Sequence, residues 1–261
     1  MTPTPVPPAT TPTPVHRRVE MVMGLPISLA LRGPHATGVR ADAAWAEVLA
    51  VLREVDRVFS RYRPDTFISR LGRGETGVDD CPREVAEVLA LGEEARRASG
   101  GAFDVRRPGV PLDTDGVVKG WAVQRAAHAL DDLAGTDYCL SGGGDMVCEV
   151  RDPDAEPWRI GIEDPRDPSR VLAVVPVRHG AVATSGGAHR GAHVVHAGTG
   201  HPPQGVASVT VVAADLTWAD IDATAAYAMG HDALAWLRTR PGRSGLVVWA
   251  DGRTDTFAVP G

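Results

Sequence analysis

An aspartate and a threonine four residues apart, Asp220 and Thr224, stand at the start of a predicted helix near the C-terminus. They follow a β-like run over residues 207–214 and precede the apolar stretch 225–229. At this spacing, a carboxylate and a hydroxyl lie on one face of a helix, about one turn apart. In the first turn they would stand beside unpaired N–H groups, which suits a hard cation holding a phosphate. The alternative is an N-cap aspartate followed by an ordinary threonine.

A second candidate segment, residues 112–121, places aspartates, a glycine and a lysine at the mouth of another predicted helix. Its start faintly resembles a calcium loop, but no glutamate stands where such a loop must close, so calcium is rejected. The other interpretation is a phosphate-facing helix start, with Lys119 as a point charge and Gly120 allowing close approach. The plainer alternative is an aspartate cap followed by a surface lysine.

Two glycine-rich segments are ambiguous. Residues 141–145 put three glycines inside a strand-like run, which indicates either a bulge or a place where a ligand comes near. Residues 184–187 are similarly ambiguous, and a turn is favoured there.

Four histidines, His189, His193, His196 and His201, lie within one short stretch. Imidazole is a good zinc ligand, so a zinc site is one hypothesis. However, His193 and His196 fall on an extended run, where their rings would point to opposite faces. One functional histidine among several solvated ones is therefore favoured, because an imidazole suits the role of general base for a hydroxyl.

The composition excludes several classes of protein. A chain of 261 residues with 43% apolar and 23% charged residues is typical of a soluble globular protein. The net charge of −6 argues against nucleic-acid binding through phosphate neutralisation. No apolar run approaches the roughly 20 residues that span a bilayer, so no membrane insertion is expected. Three cysteines without CxxC spacing indicate neither a disulfide framework nor a zinc–thiolate site.

The N-terminus carries neither the basic start nor the apolar segment of a secretory signal. We therefore interpret residues 1–15 as a disordered Pro/Thr-rich leader and expect a cytoplasmic location.

The order of elements predicts an α+β fold. A strand-like run over 18–32 precedes amphipathic helices at 42–59, 82–99 and 116–130. Short β-like runs follow at 138–150, 158–163, 171–177, 181–184, 193–196 and 206–213. Late helices at 219–229 and 231–239 precede a hairpin of 246–250 and 254–258. Because strands and helices do not alternate regularly, we expect one compact, two-lobed domain over residues 16–261, with mixed sheets flanked by helices.

Taken in order, these segments resemble the ApbE-type flavin transferases (FAD:protein FMN transferases). Residues 23–24 are similar to the family's opening Met-Gly-Thr, and residues 59–66 to its Met-Ser-x-Tyr-x-x-Asp-Ser. Further similar segments follow in the family's order at 101–104, 112–121, 141–145, 161–165, 183–186, 193–200 and 219–224. The chain departs from the family's usual pattern at Phe67, Gly72, Trp121, His196 and Ala197.

The resemblance implies a role for each matched residue. Mg²⁺ would be held by Asp220, Thr224 and the carbonyls of Gly116 and Ala223. FAD would be lined by Met23, Tyr62, Ala102, Phe103, Asp104, Asp113, Lys119 and the backbone of Val195. His193 would be the candidate base, and Lys119 and Asp220 would complete the catalytic set.

The implied reaction moves the FMN half of FAD onto a threonine hydroxyl of an acceptor protein and releases AMP. Metal, lysine and helix N-termini suit such a transfer, because it depends mainly on positioning and charge neutralisation. Two alternatives remain open: hydrolysis of FAD to FMN and AMP by the same site, and a catalytically silent flavin-binding or carrier protein. The sequence predicts neither the identity of the acceptor nor the oligomeric state.

Overall fold

An eight-stranded antiparallel sheet forms the centre of the computed structural model, which describes residues 14–107, 109–187 and 194–261. The strands are β1 His16–Val22, β2 Leu25–Arg32, β3 Asp137–Gly142, β4 Asp145–Glu149, β5 Trp158–Asp164, β6 Asp167–Val177, β7 His179–Gly186, β8 Val206–Ala213, β9 Ser244–Trp249 and β10 Thr254–Ala258. The main sheet has the order β1-β2-β3-β4-β7-β8-β9-β10, and β5 and β6 form a separate hairpin.

Six α-helices accompany the strands in the described parts of the chain. They are α1 Val39–Phe59, α2 Phe67–Gly72, α3 Arg83–Ala98, α4 Asp115–Ala127, α5 Leu216–Met229 and α6 Ala233–Leu237. Short 3-10 turns lie at Val78–Asp80, His128–Leu130 and Gly230–Asp232.

The main sheet has a hydrophobic cluster on each face. On one face the alternating residues Ile27, Leu29 and Leu31 of β2 are fully buried within the larger cluster, to which α1, α4 and α5 contribute. On the other face the β5–β6 hairpin covers a smaller cluster that includes Cys148 and Trp158. The main sheet is therefore covered by helices on one face and by a hairpin on the other, with a hydrophobic cluster at each contact.

The α+β class is confirmed, and the described strands pair antiparallel rather than in mixed sheets. The predicted helices at 42–59, 82–99 and 116–130 are present, with α1 beginning three residues earlier. The division into a leader and a domain of residues 16–261 stays a prediction, and residues 1–13 lie outside the described chain. Over the described residues, none of the helices combines the length and apolar character that crossing a membrane requires.

Three local predictions are wrong. The run 138–150 is a hairpin, because Gly143 and Gly144 adopt positive φ values of 61° and 100° and turn β3 into β4. Residues 184–186 belong to β7 and pair with β8 instead of forming a turn. The described part of the run 193–196 is not a strand: the backbone N–H groups of His196 and Ala197 bond to the loop carbonyls of His201 and Ala102.

Candidate active site

A cavity of about 1350 Å³ opens beside α4 and α5. Its volume exceeds the range of about 300–1,000 Å³ that is common for pockets of drug-sized ligands, so it has room for a dinucleotide. Several separate segments line it: the β1–β2 turn, the loop after α1, residues 102–104, the start of α4, the β3–β4 turn, the end of β5, the end of β7 and residues 194, 195 and 197.

One lysine in this cavity lies between two buried aspartates. Lys119 Nζ is 3.1 Å from Asp220 Oδ1 and also forms an ion pair with Asp145 Oδ2. Both aspartates are only 1% exposed. Burial by itself would lower the pKa of Lys119, but the charges of Asp220 and Asp145 outweigh this effect and raise it above its usual value. The lysine therefore stays protonated at neutral pH.

When both aspartates are ionised, they carry one more charge than the lysine neutralises. Burial, with the nearby charge of Asp145, raises the pKa of Asp220 to about 7 despite the opposing effect of Lys119. Asp145 Oδ2 contacts the Lys119 ammonium, and Asp145 Oδ1 accepts a hydrogen bond of 2.8 Å from the backbone N–H of Thr184. Two buried carboxylates that share one lysine form an environment that an added hard cation would stabilise.

Asp220 lies in the second turn of α5, not in the first turn as the sequence predicted. The helix begins at Leu216, which is fully buried, so the apolar face starts four residues before the aspartate. Its N-terminal N–H groups are already bonded within the protein: Leu216 donates to Gln124 Oε1 at 2.8 Å and Trp218 donates to Asp215 Oδ1 at 3.0 Å. The start of α5 is therefore capped by side chains, and Asp220 lines the cavity from the second turn of the helix.

Gly120 brings α4 close to α5. A Cβ at this position would lie 2.7 Å from the carbonyl oxygen of Leu216 and 2.8 Å from Asp220 Cβ. The backbone N–H of Gly120 donates to Asp220 Oδ2 at 2.9 Å. The close approach that the sequence predicted at Gly120 is therefore to a neighbouring helix and not to a ligand.

Three of the predicted magnesium ligands, Asp220, Thr224 and Gly116, line the cavity. A Cβ on Gly116 would be 3.6 Å from Thr224 Cγ2, so α4 and α5 also approach each other here. The Thr224 hydroxyl is 2.9 Å from Ser185 Oγ on β7. The N–H of Gly120, the regular helical partner of the Gly116 carbonyl, donates to Asp220 Oδ2. A carbonyl oxygen has two lone pairs, so that of Gly116 keeps accepting capacity.

The residues of this site fit magnesium better than zinc. Among the described residues no group of three or more His, Cys, Asp or Glu side chains could hold a metal ion. The predicted ligands that line the cavity would offer carboxylate, hydroxyl and carbonyl oxygens, which Mg²⁺ prefers. Ala223, the fourth predicted ligand, is fully buried in the middle of α5, where helical geometry directs its carbonyl to the N–H of residue 227.

Charged residues also line the wall of the cavity at the start of α4. Arg61 donates to both carboxylate oxygens of Asp115, at 2.9 and 2.6 Å, and lies 3.3 Å from Asp113. Burial raises the pKa of Asp113, and the charge of Asp115 adds to this effect. Tyr62 follows Arg61 and is 88% exposed.

Most of the residues predicted for the site line this one cavity, and they come from six separate segments of the chain. They are Met23, Tyr62, Ala102, Phe103, Asp104, Asp113, Gly116, Lys119, Val195, Asp220 and Thr224. The predicted base, His193, lies outside the described residues, so its role stays a prediction. The sequence assigned no roles to Asp145, Ser185 and Arg61, although the Gly-rich segments 141–145 and 184–187 gave a weak signal at the first two.

Comparison with known proteins identifies the family of this chain. The sequence model of the ApbE family matches residues 23–107 and 105–247. The chain belongs to the ApbE family. Two proteins named FAD:protein FMN transferase are similar to this ApbE chain. The one from Haemophilus influenzae is 30% identical over 136 residues, and the one from Rhodobacter capsulatus is 32% identical over 163 residues.

Those matches cover 48% and 59% of this ApbE chain, but only 39% and 30% of the two relatives. Solved structures match over nearly the whole chain. The ApbE protein of Thermotoga maritima aligns with a TM-score of 0.80 at 21% identity, covering 93% of this chain and 96% of that one. The flavinyl transferase ApbE of Pseudomonas stutzeri aligns with a TM-score of 0.79 at 23% identity, covering 95% and 97%. At these identities the likeness establishes a shared fold.

Proposed function

We propose that this protein is a Mg²⁺-dependent transferase that moves FMN from FAD to a threonine hydroxyl of an acceptor protein and releases AMP. The observation that carries the proposal is the buried group of Lys119, Asp145 and Asp220, beside the Thr224 hydroxyl, in a cavity with room for a dinucleotide. Membership of a family whose named relatives are FAD:protein FMN transferases supports it.

The protein's own groups would stabilise the diphosphate of FAD through charge. Lys119 would supply a positive charge for the phosphate oxygens, and its two aspartate neighbours keep its amine protonated. Asp220 and Thr224, with the carbonyl of Gly116, would hold Mg²⁺, which supplies neutralisation of the phosphate charge when bound. Ser185 orients the Thr224 hydroxyl through its 2.9 Å hydrogen bond.

In the transfer, the acceptor's threonine oxygen forms a bond to the phosphorus of the FMN half. The bond from that phosphorus to the bridging oxygen breaks, and the bridging oxygen leaves with AMP. The hydroxyl proton passes to a general base, and His193 is our candidate because imidazole titrates near neutral pH. The cavity wall near Tyr62 and Met23 would then contact the flavin.

A silent carrier is the less favourable hypothesis on energetic grounds. Burying two carboxylates and an ammonium costs several kcal/mol per ion before pairing, and flavin binding alone does not require this group. Hydrolysis of FAD by water at the same site would use the same residues as transfer. The cytoplasmic location stays a prediction.

One incubation separates the three possibilities. The protein is mixed with FAD and Mg²⁺, with and without an acceptor protein that carries a target threonine, and both AMP and acceptor-bound flavin fluorescence are measured. Flavin on the acceptor together with AMP supports the transferase. AMP alone, at the same rate without acceptor, would instead identify a hydrolase, and neither product would identify a carrier.

A further inference from the structure

Two cysteines face each other across β3 and β4. Cys139 and Cys148 are directly opposite in the antiparallel register, and their Sγ atoms are 3.5 Å apart. Both thiols are free, and Cys148 is fully buried while Cys139 is partly exposed. Directly opposed residues of antiparallel strands have Cα atoms about 4.5–5.5 Å apart. This separation lies inside the range of roughly 4.4–6.8 Å that a disulfide spans.

The residues beside the pair on the two neighbouring strands do not compete with the thiols for hydrogen bonds. On β2 the residue opposite Cys139 is Ala30, and on β7 the residue opposite Cys148 is Gly180. Neither of these offers a polar side chain to either thiol. The pair lies on the sheet face that the β5–β6 hairpin covers, away from the main helices.

We propose that Cys139 and Cys148 are a dithiol site that small disulfides such as oxidised glutathione convert to a cross-strand disulfide. The partly exposed Cys139 thiolate attacks one sulfur of the small disulfide, which forms a mixed disulfide and releases one thiol. Cys148 then attacks the Cys139 sulfur, the Sγ–Sγ bond forms and the second thiol leaves. The two protons of the cysteines end on the two released thiols.

The order of attack follows from the surroundings of the two thiols. The hydrogen bond to Cys139 and burial both raise the pKa of Cys148, so its thiolate is disfavoured before the mixed disulfide forms. Once Cys139 carries the mixed disulfide, Cys148 on the opposite strand lies beside the Cys139 sulfur, which is the atom that it attacks. The resulting bond fixes the register of β3 and β4. Gly143 and Gly144 in the turn between these strands, and Asp145 at the start of β4, line the cavity.

The test uses the whole protein, reduced and then incubated with oxidised glutathione. We expect two of the three thiols to be lost, with the mass falling by two hydrogen atoms and no glutathione retained. After cleavage at Met146, which lies between the two cysteines, peptide mapping without reductant should show the Cys139 and Cys148 peptides joined and Cys81 free. The oxidised protein should also unfold at a temperature a few degrees higher than the reduced protein.

Two variants provide controls. Cys81→Ser should still lose two thiols, because Cys81 Sγ contacts the Gly77 carbonyl and neither of the other cysteines. Cys139→Ala should lose none through an internal bond. The proposal is overturned if the wild-type protein keeps all three thiols or retains glutathione at Cys139. It is also overturned if the map joins Cys81 to another cysteine.

Discussion

The backbone N–H of Gly120 donates a hydrogen bond to Asp220 Oδ2 at 2.9 Å, across a contact in which α4 and α5 have no room for a Cβ. The other oxygen of Asp220 faces Lys119, the residue that precedes Gly120. Two consecutive residues of α4 therefore hold both oxygens of one buried carboxylate. The position of Asp220 depends on the packing of the two helices as much as on its own side chain.

Replacing Asp220 should abolish turnover. Asp220→Ala removes a carboxylate of the proposed magnesium site and leaves Lys119 paired with Asp145 alone. We expect the rate of FMN transfer to fall by at least about 100-fold, as for the loss of a preorganised charged group at an active site. Single-turnover assays with FAD, Mg²⁺ and acceptor measure this rate. Asp132→Ala, which removes an exposed carboxylate, is the control, and normal transfer by Asp220→Ala would refute the assignment.

Adding one methyl group at Gly120 should affect the site through helix packing. In Gly120→Ala the new Cβ meets a backbone oxygen at 2.7 Å, so α4 and α5 must separate. We expect the overpacking to lower the free energy of unfolding by about 1–3 kcal/mol. The better helix propensity of alanine offsets part of this loss. Transfer should fall because Asp220 moves with α5. A variant that unfolds in denaturant like the wild type and transfers at its rate would show that the contact is unimportant.

The sequence predicted the individual helices of this site more successfully than the contacts between distant residues. Helical spacing identified α1, α3 and α4, because a long amphipathic period is a local signal. By contrast, Gly120 and Asp220 are 100 residues apart, and no local pattern indicates that they form a hydrogen bond. Likewise, only the packing of α4 against β4 brings Asp145 to Lys119.

The start of α5 shows a different limit. Asp220 and Thr224 were correctly placed on a helix, but Asp220 was mistaken for a residue of its first turn. The real cap, Asp215, accepts a hydrogen bond from the N–H of Trp218 and follows a strand directly. Because Asp215 and Asp220 both precede apolar residues, capping preference alone does not distinguish them. Burial decides between them, and burial is a property of the whole fold.

Removing divalent cations should stop transfer without unfolding the protein. The buried aspartates of the site then lack a compensating cation, so we expect FMN transfer in excess EDTA to fall to background while the far-ultraviolet circular dichroism spectrum is unchanged. Added Mg²⁺ should restore transfer, and Zn²⁺ should restore it poorly because the donors are all oxygen. Full activity in metal-free buffer would contradict the proposed magnesium dependence.

The histidine proposed as base should affect chemistry more than binding. In His193→Ala we expect transfer to slow by about 10²–10⁴-fold, the usual contribution of a general base. The dissociation constant for FAD, measured by flavin fluorescence, should stay close to the wild-type value. His201→Ala removes an exposed imidazole from the same stretch and is the matched control. If the two variants transfer equally fast, another group accepts the proton.

Asp222, two residues after Asp220, should matter for stability and not for chemistry. Its carboxylate is 1% exposed and forms ion pairs with Arg240 at 3.0 Å and Arg243 at 2.7 Å, which tie α5 to the segment between α6 and β9. Asp222→Ala leaves two guanidinium groups without their buried partner. We therefore expect the free energy of unfolding to fall by about 3–5 kcal/mol.

The exposed pair of Asp251 and Arg253 provides the comparison for this variant. Its Oδ2–Nε distance of 2.8 Å is similar, but the side chains are 56% and 71% exposed, so Asp251→Ala should leave the denaturation midpoint nearly unchanged. Denaturation in urea, with transfer assayed on the folded fraction, tests both variants. Equal midpoints for the two variants would show that burial adds nothing to the Asp222 pairs. A loss of transfer by folded Asp222→Ala would place this residue in the active site.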